Sequence, residues 1–180
     1  MDNIIIEGFI GSGKGAAGRA VGKAMNLEVV DLDRRVSDRL KMSVADIYEK
    51  FGEVYFRAME TLILKEMAED KKAKRRVIVL GSGVAMMPQN GKYLKELGHV
   101  YYLRLTKETL RKRLRERRKA HRWINDDSWD EQVEAIFKER GPAYMKTADV
   151  VIDADGLRSE EIALLIKSYE TGQTPIPEKK

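Results

Sequence analysis

The stretch GFIGSGKGAAGR, residues 8–19, has the spacing of a phosphate-binding loop: Gly8, four intervening residues, then Gly13 and Lys14. Glycines in such a loop let backbone N–H groups turn toward phosphate oxygens. The start of the following helix adds partial positive charge, and the lysine neutralises the β- and γ-phosphates of a nucleotide. Gly11, Ser12, Gly13, Lys14, Gly15 and Ala16 are therefore the candidate nucleotide-binding residues. The loop departs from the usual pattern directly after the lysine. A Ser or Thr there commonly supplies a hydroxyl to Mg²⁺, and Gly15 and Ala16 supply none. Losing one ligand need not lose the ion, because Mg²⁺ keeps several waters and borrows phosphate oxygens.

Other chemistries are excluded by what the chain lacks. With no cysteine there is no disulfide, thiolate nucleophile or thiolate metal site, and two histidines do not make a histidine-rich metal cage. The net charge of +5 suits acidic or phosphorylated small ligands. No signal-peptide pattern opens the chain, and no apolar run approaches the roughly 18 residues of a membrane span. A cytoplasmic protein is expected.

The elements that must position the loop follow from hydrophobic patterning. NIIIEG (3–8), LEVVDLD (27–33), RVIVLG (76–81), HVYYLRL (99–105) and ADVVID (148–153) are short apolar segments alternating with helical patterns. Continuous β-branched runs of this kind predict a five-stranded parallel sheet flanked by helices, the α/β class in three layers. The phosphate loop then sits between the first strand and a helix with a small-residue face, Ala17, Ala20, Val21 and Ala24. Ser43 caps a short helix whose Val44, Ile47, Tyr48 and Phe51 share a face. Ser128 and Glu131 form a capping box opening a helix on which Val133, Ile136, Phe137 and Arg140 align, so a guanidinium rides on an apolar stripe. A last helix carries Ile162, Leu165, Ile166 and Tyr169. The expected organisation is a single domain over residues 1–173 with a flexible tail at 174–180.

Further segments add to the loop. VDLDRRV at 30–36 brings two carboxylates to the end of the second strand, FGEVYFRAME follows at 51–60, GSG ends the third strand at 81–83, and RGPAYMKTADVVID occupies 140–153. In this order and spacing, the chain resembles the shikimate kinase family from about residue 3 to residue 153, within the nucleoside monophosphate kinase-like P-loop architecture. The FGExxFRxxE segment is the most specific piece. The resemblance implies transfer of the γ-phosphoryl of ATP, with Mg²⁺, to a hydroxyl of shikimate, giving shikimate 3-phosphate and ADP in aromatic amino acid biosynthesis. It implies that Arg57 and Arg140 bind the substrate carboxylate, a role suited to the bidentate guanidinium. It makes Asp33 the carboxylate that contacts the substrate hydroxyls, catalytic together with Lys14, and places Asp31 near Mg²⁺ through water. Gly81 and Gly83 bring backbone close to the substrate, and Glu60 stands one helical turn from Arg57, where it can hold that side chain.

The run RKRLRERRKAHRW at 111–123 has eight Lys or Arg among thirteen residues. It reads either as a solvated helix face or, in the family pattern, as the approach to a lid at about 112–127 that closes on ATP. By its distance from Arg140, Arg122 is the phosphate-contacting lid arginine, although HRWIN departs from the family's Arg-Pro-Leu-Leu. Arg113 or Arg117 flanks the adenine, a choice the residues leave open. The absence of interleaved aromatics before Trp123 argues against nucleic acid. Ser82 also departs from the family, standing within what is usually a run of three glycines. The loop GSGKG is similar to that of adenylate kinases, which keep a Thr where this chain has Ala16. Two alternatives follow from these departures: an impaired relative that binds nucleotide or a small acid in a regulatory role, or a kinase for another polyol acid or nucleotide. A monomer is expected.

Overall fold

The computed structural model describes residues 2–116 and 129–174. Five strands, β1 (Asn3–Glu7), β2 (Glu28–Asp31), β3 (Arg76–Val79), β4 (Gly98–Arg104) and β5 (Val150–Asp153), form one parallel sheet in the order β2-β3-β1-β4-β5. Four lie inside the apolar segments read from the sequence, and β4 begins one residue before its segment, at Gly98. Parallel strands need crossover connections, and these are supplied by α1 (Lys14–Met25), α2 (Leu32–Leu40), α3 (Val44–Glu69), α4 (Asn90–Leu97), α5 (Lys107–Glu116) and α6 (Trp129–Thr147), with α7 (Ser159–Glu170) closing the chain.

The alternation of side chains along β1 divides the core. Ile4 and Ile6 face a cluster containing Val21, Leu110, Leu114, Tyr144 and Ile166, which belong to α1, α5, α6 and α7. Ile5 faces the opposite cluster with Val36, Phe56, Leu64 and Leu94, from α2, α3 and α4. All three isoleucines are fully buried, so β1 is covered on both faces, as its unbroken apolar run requires. Among the described residues, no helix is long and apolar enough to cross a membrane.

Two local expectations are corrected. The second strand stops at Asp31 instead of running to residue 33. Asp31 takes an extended conformation and its carboxylate accepts from the Arg34 backbone N–H at 3.1 Å, so it caps α2 and turns Asp33 into that helix's first turn. Leu32 and Val36, one turn apart and both buried, fasten α2 to the core. The helix capped by Ser43 is not short. The Ser43 hydroxyl accepts from Asp46 N at 3.1 Å, and α3 continues to Glu69 through a break at Gly52, where φ is 79° and ψ is 171°. Val44, Ile47 and Tyr48 keep the predicted core-facing side, and Phe51, the residue just before the break, leaves it. Ile47 is fully buried, whereas Phe51 is 42% exposed and packs on Tyr55 with ring centroids 4.7 Å apart. Ser128, its predicted capping box, most of the predicted lid and most of the tail lie outside the described residues.

The break at Gly52 decides where the following turns of α3 point. Its dihedrals belong to a region open almost exclusively to glycine, while a Cβ there would meet nothing within 4 Å. Gly52→Ala is therefore expected to lower stability by about 1–3 kcal/mol through backbone strain alone. Urea denaturation measures the loss, and a midpoint equal to wild type would show that the break relaxes without cost.

Candidate active site

The phosphate loop leaves the end of β1, where the strand order reverses between β3 and β4; open parallel sheets bind ligands at such a point. Gly11 (φ 78°) and Gly13 (φ 88°) take left-handed backbone, turning the loop into the start of α1. Phe9 anchors it from below, stacking on Phe137 at 5.1 Å and meeting Tyr144 edge-on at 5.0 Å, both on α6. Across the loop, Arg113 of α5 donates to the Ser12 carbonyl at 2.9 Å. Arg117 and Arg122 lie outside the described residues.

Lys14 curls back to donate to the Phe9 carbonyl at 3.3 Å. Burial lowers its pKa, while Asp33 and then Asp31 oppose that shift by attraction, so ammonium and carboxylates belong to one electrostatic site. A Cβ at Gly15 would meet only the Arg19 guanidinium, at an ordinary 3.7 Å, and Ala16 is exposed. The missing hydroxyls thus reflect residue identity, since the backbone has room for them.

The third strand delivers the loop Gly81-Ser82-Gly83, and charged groups crowd against it. A Cβ at Gly81 would stand 2.1 Å from Glu60 Oε1 and 2.4 Å from Asp33 Oδ1, and one at Gly83 would stand 2.1 Å from Arg57 Cζ. These glycines are needed for close approach rather than for positive φ, and Ser82 does not require positive φ either. Arg57 donates from Nη1 to Glu60 at 2.6 Å and from Nη2 to Glu53 at 3.0 Å. It is bedded against the Phe56 and Tyr48 rings, 5.6 and 6.0 Å from their centroids. Burial pushes the Tyr48 phenol up to about 12.

Asp33 Oδ1 and Glu60 Oε1 are both buried and accept no hydrogen bond from a protein donor. They face each other across the position that a Cβ on Gly81 would occupy. Burial raises both groups; attraction to Lys14 opposes the rise at Asp33, and attraction to Arg57 opposes it at Glu60, which settles at about 7. Arg140, one turn past Phe137 on α6, donates from Nη1 to Ser82 Oγ at 3.2 Å. Tyr144, a further turn along, donates to the Ser82 carbonyl.

Lys14, Asp31, Asp33, Arg57, Gly81, Gly83 and Arg140 therefore meet at the carboxyl ends of β1, β2 and β3. The sequence had marked them, with Glu60 as the holder of Arg57. It had not marked Tyr144 or the Ser82 hydroxyl, although Tyr144 follows Arg140 at the i+4 spacing that aligns residues on a helix face. The residues present fit nucleotide phosphates, because Gly11 and Gly13 shape a backbone cradle with Lys14 beside it. They fit a metal ion less completely. Among the described residues no cluster of three or more His, Asp or Glu stands ready to hold one. Asp31 also gives one oxygen to its helix cap, so Mg²⁺ fits here only with phosphate oxygens and waters completing its shell.

A phosphate loop between the first strand and first helix of a 2-3-1-4-5 parallel sheet, with carboxylates ending the neighbouring strand, defines a P-loop kinase fold. A family model described as shikimate kinase matches residues 10–169. A shikimate kinase of Thermodesulfovibrio yellowstonii is 34% identical, covering 94% of this chain and 96% of its own. One of Enterococcus faecalis is 31% identical, covering 90% and 94%. Among solved structures, shikimate kinase from Acinetobacter baumannii in complex with shikimate aligns with a TM-score of 0.85 at 26% identity, covering 97% of this chain and 96% of that one. The chain belongs to the shikimate kinase family.

The Glu60 carboxyl makes stability depend on pH in a defined direction. Its folded pKa of about 7 lies above its ordinary 4.5, so the folded protein binds the extra proton between those values. The resulting stabilisation is present in full below pH 4.5 and is lost as pH rises through about 7, by at most about 3 kcal/mol. Asp33, also raised, acts with the same sign. Glu60→Gln is expected to flatten this part of the profile in denaturant titrations at a series of pH values. A variant profile as steep as that of wild type would place the titration on another group.

Proposed function

We propose that this protein is a shikimate kinase, transferring the γ-phosphoryl of ATP to a hydroxyl of shikimate to give shikimate 3-phosphate and ADP. The observation that carries the reading is the meeting of two arginines from separate helices, Arg57 and Arg140, on successive residues of the loop that also abuts Asp33. Two guanidiniums beside a carboxylate and a phosphate cradle suit a substrate that is itself a carboxylate bearing hydroxyls.

In this scheme Arg57 and Arg140 bind the shikimate carboxylate and fix the ring, while the backbone at Gly81 and Gly83 lies under it. Asp33 orients the reacting hydroxyl and accepts its proton as the oxygen bonds to phosphorus and the bond between the γ-phosphorus and the bridging oxygen breaks, releasing ADP. Gly11, Ser12, Gly13, Lys14, Gly15 and Ala16 line the phosphates, with Lys14 neutralising charge on the β- and γ-oxygens. Mg²⁺, when bound, would supply further charge stabilisation there, and Asp31 would hold it through water. Arg122 completes the phosphate contacts from the lid, and Arg113 lies on the nucleotide side. In this reading the protein acts as a monomer in the cytoplasm.

The reading is tested by ADP release with shikimate and with a panel of polyol acids and nucleoside monophosphates. Shikimate is expected to be the preferred acceptor, and Asp33→Asn to lower kcat by about 10²-fold or more. Folded protein that releases no ADP with shikimate would overturn it. The altered loop makes a separate prediction. Gly15→Ser combined with Ala16→Thr is expected to lower the Mg²⁺ concentration at half-maximal rate several-fold, as a restored hydroxyl replaces a water on the ion. An unchanged Mg²⁺ dependence would mean that the hydroxyls are dispensable.

A further inference from the structure

We propose that the Ser82 hydroxyl is a positioning group for Arg140, holding this guanidinium ready for the substrate carboxylate before substrate arrives. The inference rests on the shikimate kinase reading and extends it to a residue that departs from the family's glycines.

Ser82 is the residue of the 81–83 loop that has a side chain, and its neighbours explain why. Gly81 and Gly83 lie against the Asp33–Glu60 carboxyls and the Arg57 guanidinium at distances that admit no Cβ. Ser82, between them, is half-buried on the side of α6. There its Oγ accepts from Arg140 Nη1 at 3.2 Å, and its carbonyl accepts from Tyr144 O–H, with a longer contact to Arg140 Nη1 at 3.5 Å. The loop and α6 are thereby joined at adjacent atoms.

The two arginines reach the loop with unequal support. Arg57 is fixed by Glu60 and Glu53 through charge-assisted bonds and has aromatic rings beneath it. Arg140 makes no described ion pair; its Nη1 bonds are to Ser82, and its Nε is buried with no hydrogen-bond partner among the described residues. An arginine carries a large share of side-chain entropy, which binding must remove unless the protein has already done so. A neutral hydroxyl suits this task. It restrains the guanidinium without supplying a carboxylate that would compete with the substrate for the same donors, and it leaves Nη2 for the substrate carboxylate.

A positioning role acts on substrate affinity through the carboxylate and leaves the chemical step alone. Ser82→Ala and Ser82→Gly are measured for KM and kcat with shikimate, and for inhibition by the alcohol made by reducing the shikimate carboxyl to hydroxymethyl. KM for shikimate is expected to rise about five- to ten-fold in both variants, with kcat within about two-fold and the inhibition constant of the alcohol unchanged. Ser82→Gly removes the side chain altogether and keeps the test decisive should the alanine methyl disturb the loop. A KM unchanged in both variants would overturn the proposal, as would equal losses for the acid and the alcohol. Wild-type turnover is read in the same assay, so a failure of Ser82 to matter is distinct from a failure of shikimate to serve as acceptor.

Discussion

The constraint on which the site depends is the close packing of charge against the 81–83 loop. Glu60 is completely buried, and a buried carboxylate is stabilised only by partners that replace its lost hydration. Arg57 is the principal partner, with a side chain only 12% exposed, and Asp33 meets Glu60 from α2. Neither contact would survive a side chain at Gly81 or Gly83. The loop is therefore bare where charge presses on it. Its remaining side chain, at Ser82, is where a third helix arrives.

The rest of the scaffold sets the angles at which these helices arrive. In α3 the break at Gly52 separates a first section, with Ile47 in the core, from a second that buries Phe56, Ile63 and Leu64 and so directs Arg57 and Glu60 at the loop. In α2 the first turn is fixed from both ends, by the Asp31 cap before it and by Leu32 and Val36 beneath it. In α6 the aromatic contacts of Phe137 and Tyr144 with Phe9 tie the helix to the phosphate loop itself. A shift of Phe9 would be felt by both the nucleotide side and Arg140. The two half-sites thus share one aromatic cluster, built on Phe9.

The sheet was legible because buried parallel strands must be continuously apolar, and each of the five segments held one strand. The candidate site residues were chosen by motif and spacing, and the structure gathers Lys14, Asp31, Asp33, Arg57 and Arg140 at the carboxyl ends of the strands. What stayed hidden depended on backbone angles that letters do not carry. Asp31 in VDLD is compatible with a strand end and with a helix cap, and only the burial of Leu32 and Val36 decides for the cap. Phe51 fits the apolar spacing of α3 perfectly well until Gly52 turns the helix and leaves the ring beside Tyr55. The approach of Asp33 to Glu60 was out of reach for the same reason, since the two residues are far apart in sequence and meet only across a glycine.

The phosphate loop presents the reverse case, in which the letters suggested more damage than the geometry contains. The left-handed glycines, the lysine at the helix start and the carboxylates facing it are features of backbone and charge, and none depends on a hydroxyl at residue 15 or 16. What a hydroxyl would add is a fixed metal ligand. Asp31 cannot fully replace it, because one carboxylate oxygen already accepts the Arg34 N–H that starts α2. Releasing that oxygen to a metal would weaken the cap and with it the placement of Asp33, two residues on. What Gly15 and Ala16 remove is a hydroxyl that could ligate a metal, and no part of the backbone cradle. In the proposed reaction a water would take that place, leaving intact the cap that holds Asp33 in the first turn of α2.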